Sequence, residues 1–208
     1  MDKLILVGAG GHSKSVVSSI QKDKFKLCGF IDENKKGMHM GFPILGKRIE
    51  DIPNYHSYKY LVSIGDVYFR KMWFEKIKFM GLETVNIIDK SAIIDSSVQI
   101  GTGNFIGKMA IINADAIIGD NNIINTKASI EHECVLGNNI HLSTNSIING
   151  NVVVEDNVFL GSSSVSNGQL KIGHDSIVGS GSVIINNVQA FTTVVGVPAR
   201  VVKKRSQG

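Results

Sequence analysis

Cysteine is nearly absent: Cys28 and Cys134 are the two in 208 residues, too few for a disulfide framework. One lies in a strand-like run and the other in a column of small residues, so both read as buried free thiols rather than metal ligands. Charge is in short supply as well. With 22 Lys and Arg against 18 Asp and Glu, the net charge of +4 is too weak to argue for a nucleic-acid partner. The basic residues that do cluster, Arg200, Lys203, Lys204 and Arg205, fit either a solvated tail or a contact to coenzyme phosphates. No apolar run approaches the length that spans a bilayer, which argues against a membrane partner. Met1 leads straight into an apolar run instead of a signal peptide, so the cytoplasm is the expected place of work. What remains, 43% hydrophobic and 19% charged residues, is the composition of a globular protein of one or two domains.

A six-residue period fills the larger part of the chain. Every sixth position from Ile88 to Ala190 gives 18 residues, of which 16 are Ile, Leu or Val. Helices and flat sheets have side-chain periods of 3.6 and 2, whereas a chain wound into stacked parallel coils needs a longer one. Two residues before each aliphatic runs a small column (Ala110, Ala116, Ala128, Cys134, Ser146, Ser164), suited to a tight inner corner. One residue after it glycine recurs (Gly101, Gly107, Gly119, Gly137, Gly161, Gly179), expected where the chain bends sharply. The residue just before each aliphatic points the other way and is often apolar, as at Phe105, Ile117, Ile123, Val135, Val153 and Phe159. Such an outer face predicts a partner surface, or in part a cover supplied by the chain's own N-terminal domain.

The first 87 residues read differently. An apolar run over residues 3–7 is followed by Gly8-Ala9-Gly10-Gly11-His12-Ser13 and a helical pattern at Val16, Val17 and Ile20. Strand, glycine turn and helix open a nucleotide-binding α/β unit, with helix amides available to a phosphate. Ser13 stands where the dinucleotide fingerprint wants glycine, and the strands are too few for a full dinucleotide domain, so a pocket for one nucleotide or sugar head group is expected. Further runs end at Asp32-Glu33 and at Gly65-Asp66, then comes a helix from about 67 to 80 whose Phe69, Met72, Trp73 and Phe79 read as core. A fourth run, 84–88, flows into the repeat without a linker.

Of six histidines, His39, His56 and His174 read as solvated. His132 stands apart, in the run Ile130-Glu131-His132-Glu133-Cys134 at the centre of the repeat. A neutral imidazole beside a carboxylate can take the proton of an attacking hydroxyl or amine. His141 interrupts the apolar outer column nine residues on; at three six-residue rows to a coil that is half a coil away, so the two histidines fall on different sides of the coil and could meet only across a subunit boundary. A zinc site of the carbonic-anhydrase kind would want three converging histidines, and two can be assigned, so no metal is expected. Cys134, in the column of small residues, should face inward.

Together the repeat, Ile124-Asn125-Thr126, the His132 run, Gly137, His141, Val195-Gly196-Val197-Pro198-Ala199-Arg200 and Gly8-Ala9-Gly10-Gly11-His12 resemble the hexapeptide-repeat sugar acetyltransferases of the NeuD/PglD-like family. These modify nucleotide-activated bacillosamine or perosamine, or, in the NeuD branch, sialic acid. Ile106-Gly107-Lys108-Met109 and Val165-Ser166-Asn167-Gly168-Gln169-Leu170 lean toward that branch. The resemblance implies a Rossmann-like α/β domain over residues 1–87 that binds the acceptor and a left-handed parallel β-helix over 88–208, assembled as homotrimers with active sites between subunits. It implies acetyl-CoA as co-substrate, His132 as base with Glu133 raising its basicity, and His141 at the thioester end of the coenzyme. Ser162 and Ser180 fall at coenzyme-contact positions, although some relatives have glycine in place of Ser180. Gly10, Gly11, His12, Asp32, Glu33 and Gly65 match acceptor-binding positions. The first expectation is O-acetylation of sialic acid, free or CMP-activated. The alternatives are N-acetylation of a UDP- or GDP-linked amino sugar and, of a different class, a non-catalytic β-helix that binds or scaffolds.

Overall fold

A computed structural model describes residues 1–205. The N-terminal sheet holds β1 (Asp2–Val7), β2 (Phe25–Ile31), β3 (Met38–His39), β4 (Phe42–Gly46) and β5 (Lys59–Val62), in the order β3-β4-β2-β1-β5. Pairing is parallel except between β3 and β4. Helix α1 (Gly11–Ser19) follows β1 and α2 (Val67–Phe79) follows β5. Asp66 caps α2 by accepting the Phe69 amide at 3.0 Å.

From Ile87 the chain winds into a left-handed parallel β-helix of two-residue rungs, each hydrogen-bonded to the rung 18 residues on. Face one runs from Ile93–Ile94 to Val183–Ile184, face two from Gln99–Ile100 to Lys171–Ile172, and face three from Ile87–Ile88 to Ile177–Val178. The second residue of nearly every rung points inward, and Ile106, Ile112, Ile124, Ile130, Leu142 and Ile148 are wholly buried. The small column lies inside too, so the interior fills by alternating bulky and slight residues. The period breaks at its last row. There Val188 bridges to Ile172 and occupies the interior that Ala190 was expected to fill, and Thr192–Val195 and Arg200–Lys204 close face three as an antiparallel pair. Arg200, Lys203 and Lys204 thus lie on an exposed edge strand, with Arg205 just past its end.

The recurrent glycines serve close approach rather than bending. A Cβ on Gly107 would sit 2.9 Å from the Thr126 nitrogen of the next coil, and one on Gly161 2.5 Å from the Ser180 nitrogen. The bends belong to another column. Every sixth residue from Met109 to Asp175 has φ between 55 and 61°, and asparagine, which tolerates that region, recurs there at 121, 139, 145, 151 and 157.

The outer apolar column has two fates. On face three, Ile87, Phe105 and Ile123 are buried against Leu4, Leu6, Val16 and Leu61, so the N-terminal domain and the coil share one core there. On faces one and two, Ile93, Ile117, Val135 and Val153 stay exposed. Helix α2 also departs from the expectation. Its buried stripe is Arg70, Trp73, Phe74 and Ile77, so of the four residues expected in the core Trp73 is buried while Phe69, Met72 and Phe79 look outward.

Candidate active site

Gly10, Gly11, His12, Asp32, Glu33 and Gly65, drawn from three loops at the carboxyl ends of β1, β2 and β5, line one cavity of about 290 Å3. This is where an open α/β sheet presents its ligand crevice. Gly10 and Gly11 leave the α1 N-terminus bare, with no atom near where a Cβ would stand. Ser13, in place of the fingerprint glycine, is buried and its hydroxyl donates to the Gly10 carbonyl at 2.7 Å. The same oxygen meets His39 Nε2 at 2.9 Å, and the His39 ring stands edge-on to Phe30, so His39 is wedged under the loop rather than solvated. Phe69 and Trp73 complete the cavity wall, a lining role that the core reading of α2 missed.

Asp32 is largely committed to the chain. Its Oδ2 accepts the Ala9 amide at 2.8 Å, and its Oδ1 accepts the amides of Asn34 and Lys35. Burial pushes its carboxyl up, but these amides and the Lys35 charge outweigh it and hold the group below the usual carboxylate range. Asp32 therefore ties the glycine turn to the β2 loop, and Glu33, exposed beside it, is the freer acceptor.

His132 and Glu133 lie at the corner between faces one and two. Left-handed backbone at Glu133 (φ 58°) swings its side chain back, so that His132 Nδ1 and Glu133 Oε2 meet at 3.0 Å, a contact that two neighbours on a regular strand could not make. With Nδ1–H donating to the carboxylate, Nε2 keeps its lone pair. The imidazole lies over Gly150 of the next coil, where a Cβ would come within 2.6 Å of Nε2. Ser162 and Ser180 stack on successive coils at the corner between faces three and one, and the Ser162 hydroxyl pairs with that of Ser143 at 2.9 Å. A single chain therefore does not bring His132 together with His141, Ser162 or Ser180.

His141 sits on face three, where the chain's own N-terminal domain covers it. Its Nδ1 lies 2.9 Å from the Gly65 carbonyl, and its ring stands edge-on to Phe159 and 6.2 Å from that of His12. Burial, then the Arg70 charge, pulls the His141 pKa down to about 4, against the Gly65 hydrogen bond, which raises it. Burial, then His141 and Arg70, pulls His12 to about 3. His141 also lines a second cavity of about 890 Å3, with Tyr68, Lys71, Phe159, Ile177 and Arg205. Gly65 belongs to both cavities. Arg70, which the sequence reading passed over, is 1% exposed and donates to carbonyls on both domains. The sequence signal available for it was a lone charge on the apolar stripe of α2.

His174 is not simply solvated, for it pairs with Asp175 at 2.9 Å and stacks edge-on with Phe191. Cys134 is buried and its thiol donates to the Asn149 carbonyl at 3.2 Å. Among the described residues no cluster of three or more His, Cys, Asp or Glu could hold a metal ion, and no helix is long and apolar enough to cross a membrane.

A model of the PglD N-terminal domain matches residues 3–77. PerB from Caulobacter crescentus, solved in complex with CoA and GDP-perosamine, is 31% identical over 98% of each chain, with a TM-score of 0.90. The acetyltransferase domain of PglB from Neisseria gonorrhoeae FA1090 is 26% identical over 97% of this chain and 100% of its own, with a TM-score of 0.92. That domain has also been solved in complex with acetyl coenzyme A. A protein of Acanthamoeba polyphaga mimivirus, L142, is 34% identical over 99 residues, which are 47% of this chain but 20% of the viral one. The chain thus spans a fifth of that curated relative. Identity to PerB along nearly the whole length, on the same two-domain architecture, means that the chain belongs to the PglD-like sugar acetyltransferase family.

Proposed function

We propose that this protein transfers the acetyl group of acetyl-CoA to the amine of a nucleotide-linked amino sugar. The observation that carries the reading is the 31% identity, over 98% of both chains, to a protein solved with CoA and GDP-perosamine. It favours N-acetylation over the O-acetylation of sialic acid that the NeuD-like stretches suggested. The cavity that gathers Gly10, Gly11, His12, Asp32, Glu33 and Gly65 suits the nucleotide end of such an acceptor: bare helix amides for phosphate, and Glu33 beside them for ribose or base hydroxyls.

In the reaction, His132 Nε2 accepts a proton from the sugar amine as its nitrogen attacks the thioester carbonyl. Glu133, on Nδ1, stabilises the imidazolium that forms. The tetrahedral intermediate collapses to the amide and the CoA thiolate, which takes up the proton. Ser162 and Ser180 hold the coenzyme in this reading, with His141 near its thioester end. Because His132 stands at one corner of the prism, the two serines at another and His141 on face three, the complete site needs a second copy, and a homotrimer packed through the exposed residues of faces one and two, such as Ile93 and Ile117, supplies it.

The test is thiol release from acetyl-CoA by the full chain with UDP- and GDP-linked amino sugars, free sialic acid and CMP-sialic acid. Release with an amino sugar and none with the sialic acids is expected. Release with the sialic acids alone would restore O-acetylation, and a catalytically active monomer in solution would refute the shared site.

A further inference from the structure

Arg70 is the largest fully buried side chain of the described residues, and among them it forms no ion pair. All its donors instead meet main-chain carbonyls. Nε–H goes to Asn121 at 3.0 Å, Nη1–H to Gly65 at 3.1 Å and Ile64 at 3.4 Å, and Nη2–H to Asn139 at 2.7 Å and Ile140 at 3.3 Å. Such a cation is a costly way to join two domains, since well-packed apolar residues join them as firmly. Its placement points to another use. The Gly65 carbonyl has two lone pairs, and it receives Arg70 on one and His141 Nδ1 on the other. His141 Nε2 is buried and without a partner among the described residues.

We propose that Arg70 is a positioning residue for His141. By holding the Gly65 carbonyl against Nδ1 it fixes the imidazole as the Nδ1–H tautomer, so that Nε2 remains a lone-pair acceptor for an N–H or O–H donor on a ligand in the adjoining cavity. The donor-to-acceptor sense of this contact follows from the tautomer. This deepens the reading of His141 as a ligand contact and rests on it. The guanidinium charge acts in the same direction, since a cation packed beside the ring opposes its protonation. The other ionisable groups around His141 are His12 across the ring and, in the wall of the cavity, Asp66, Lys71, Glu75, Asp175 and Arg205.

The experiment is histidine 15N spectroscopy of the full chain as a function of pH. The wild type should show His141 as a single Nδ1–H tautomer that stays uncharged down to pH 5. Arg70→Met should mix the tautomers and raise the His141 midpoint by at least one pH unit, with a tenfold or larger rise in the KM for acetyl-CoA and a smaller change in kcat. Arg70→Lys keeps the charge but not the fork, so it should mix the tautomers and leave the midpoint low. An Nε2–H tautomer in the wild type overturns the proposal, and so does an unchanged His141 spectrum in either folded variant. If Arg70→Met does not fold, the wild type and Arg70→Lys decide. The two readings fail separately: expected spectra without thiol release sink the acetyltransferase reading alone, and thiol release with unchanged spectra sinks the role of Arg70 alone.

Discussion

Acidification should loosen this protein well above the pH at which its carboxylates take up protons. The cause is the pair His12 and His141, held neutral by burial and by Arg70, with pKa values near 3 and 4. In the unfolded chain both return to the ordinary histidine value of about 6.5. Above that value neither form binds protons, and the pair contributes its full stability. As pH falls below it, the unfolded chain takes up two protons that the folded chain refuses, and stability drops by about 1.4 kcal/mol per pH unit for each ring. Between pH 7 and pH 5 the loss comes to about 4 kcal/mol, a large share of the roughly 5–15 kcal/mol that a domain possesses. Trp73, the single tryptophan, is buried on α2 one turn from Arg70 and reports the state of this region. Urea unfolding followed by its fluorescence at pH 7, 6 and 5 measures the effect. His12→Leu, which replaces a ring packed edge-on against Phe105 by an apolar group, should remove about half of the pH dependence. Stability constant to within about 1 kcal/mol across that range would refute the account of both histidines.

Other perturbations test other parts of the site. His132→Ala, at an exposed corner, should lower turnover by about 10²- to 10⁴-fold while leaving the melting temperature and acetyl-CoA binding near those of the parent. Near-normal turnover would reject the base. Gly150→Ala should displace the His132 imidazole, because the new methyl would fall 2.6 Å from Nε2, and a steady-state assay should show kcat falling more than KM rises. Ser166 occupies an aliphatic position of the coil with its hydroxyl buried and unpaired, so Ser166→Val should stabilise the β-helix by about 1 kcal/mol in chemical denaturation.

Most of the β-helix can be read directly from the chain because each rung sends one residue into each column, so Ile112, Ile130 and Ile148 declare the interior whatever the rest of the molecule does. The glycine column was visible for the same reason, although its cause was not. A contact such as that of Gly107 with Thr126 joins neighbouring coils, and periodicity records a position without recording its neighbour. Asparagine at 121, 139, 145, 151 and 157 could have marked the left-handed corners, because it is enriched several-fold in that backbone region, although Met109, Lys127 and Gln169 adopt it too. That Gly10, Asp32 and Gly65 would share one cavity was legible in the chain, since each of their loops begins where an apolar run stops. Arg70 was not. A charged side chain on a helix ordinarily belongs to solvent, and its burial depends on carbonyls 51 to 70 positions away that only the docked domains bring near. The fate of the outer apolar column was open for a similar reason: nothing local distinguishes Phe105, which meets the N-terminal domain, from Ile117, which does not.

The fused seam along face three limits how such proteins can be re-engineered. Leu4, Leu6, Val16 and Leu61 interlock with Ile87, Phe105 and Ile123 as one packed mass, so a recombinant that grafts another relative's N-terminal domain onto this prism must import the matching rungs as well. Cutting at the boundary in the primary sequence alone would leave two raw apolar surfaces and a stranded guanidinium.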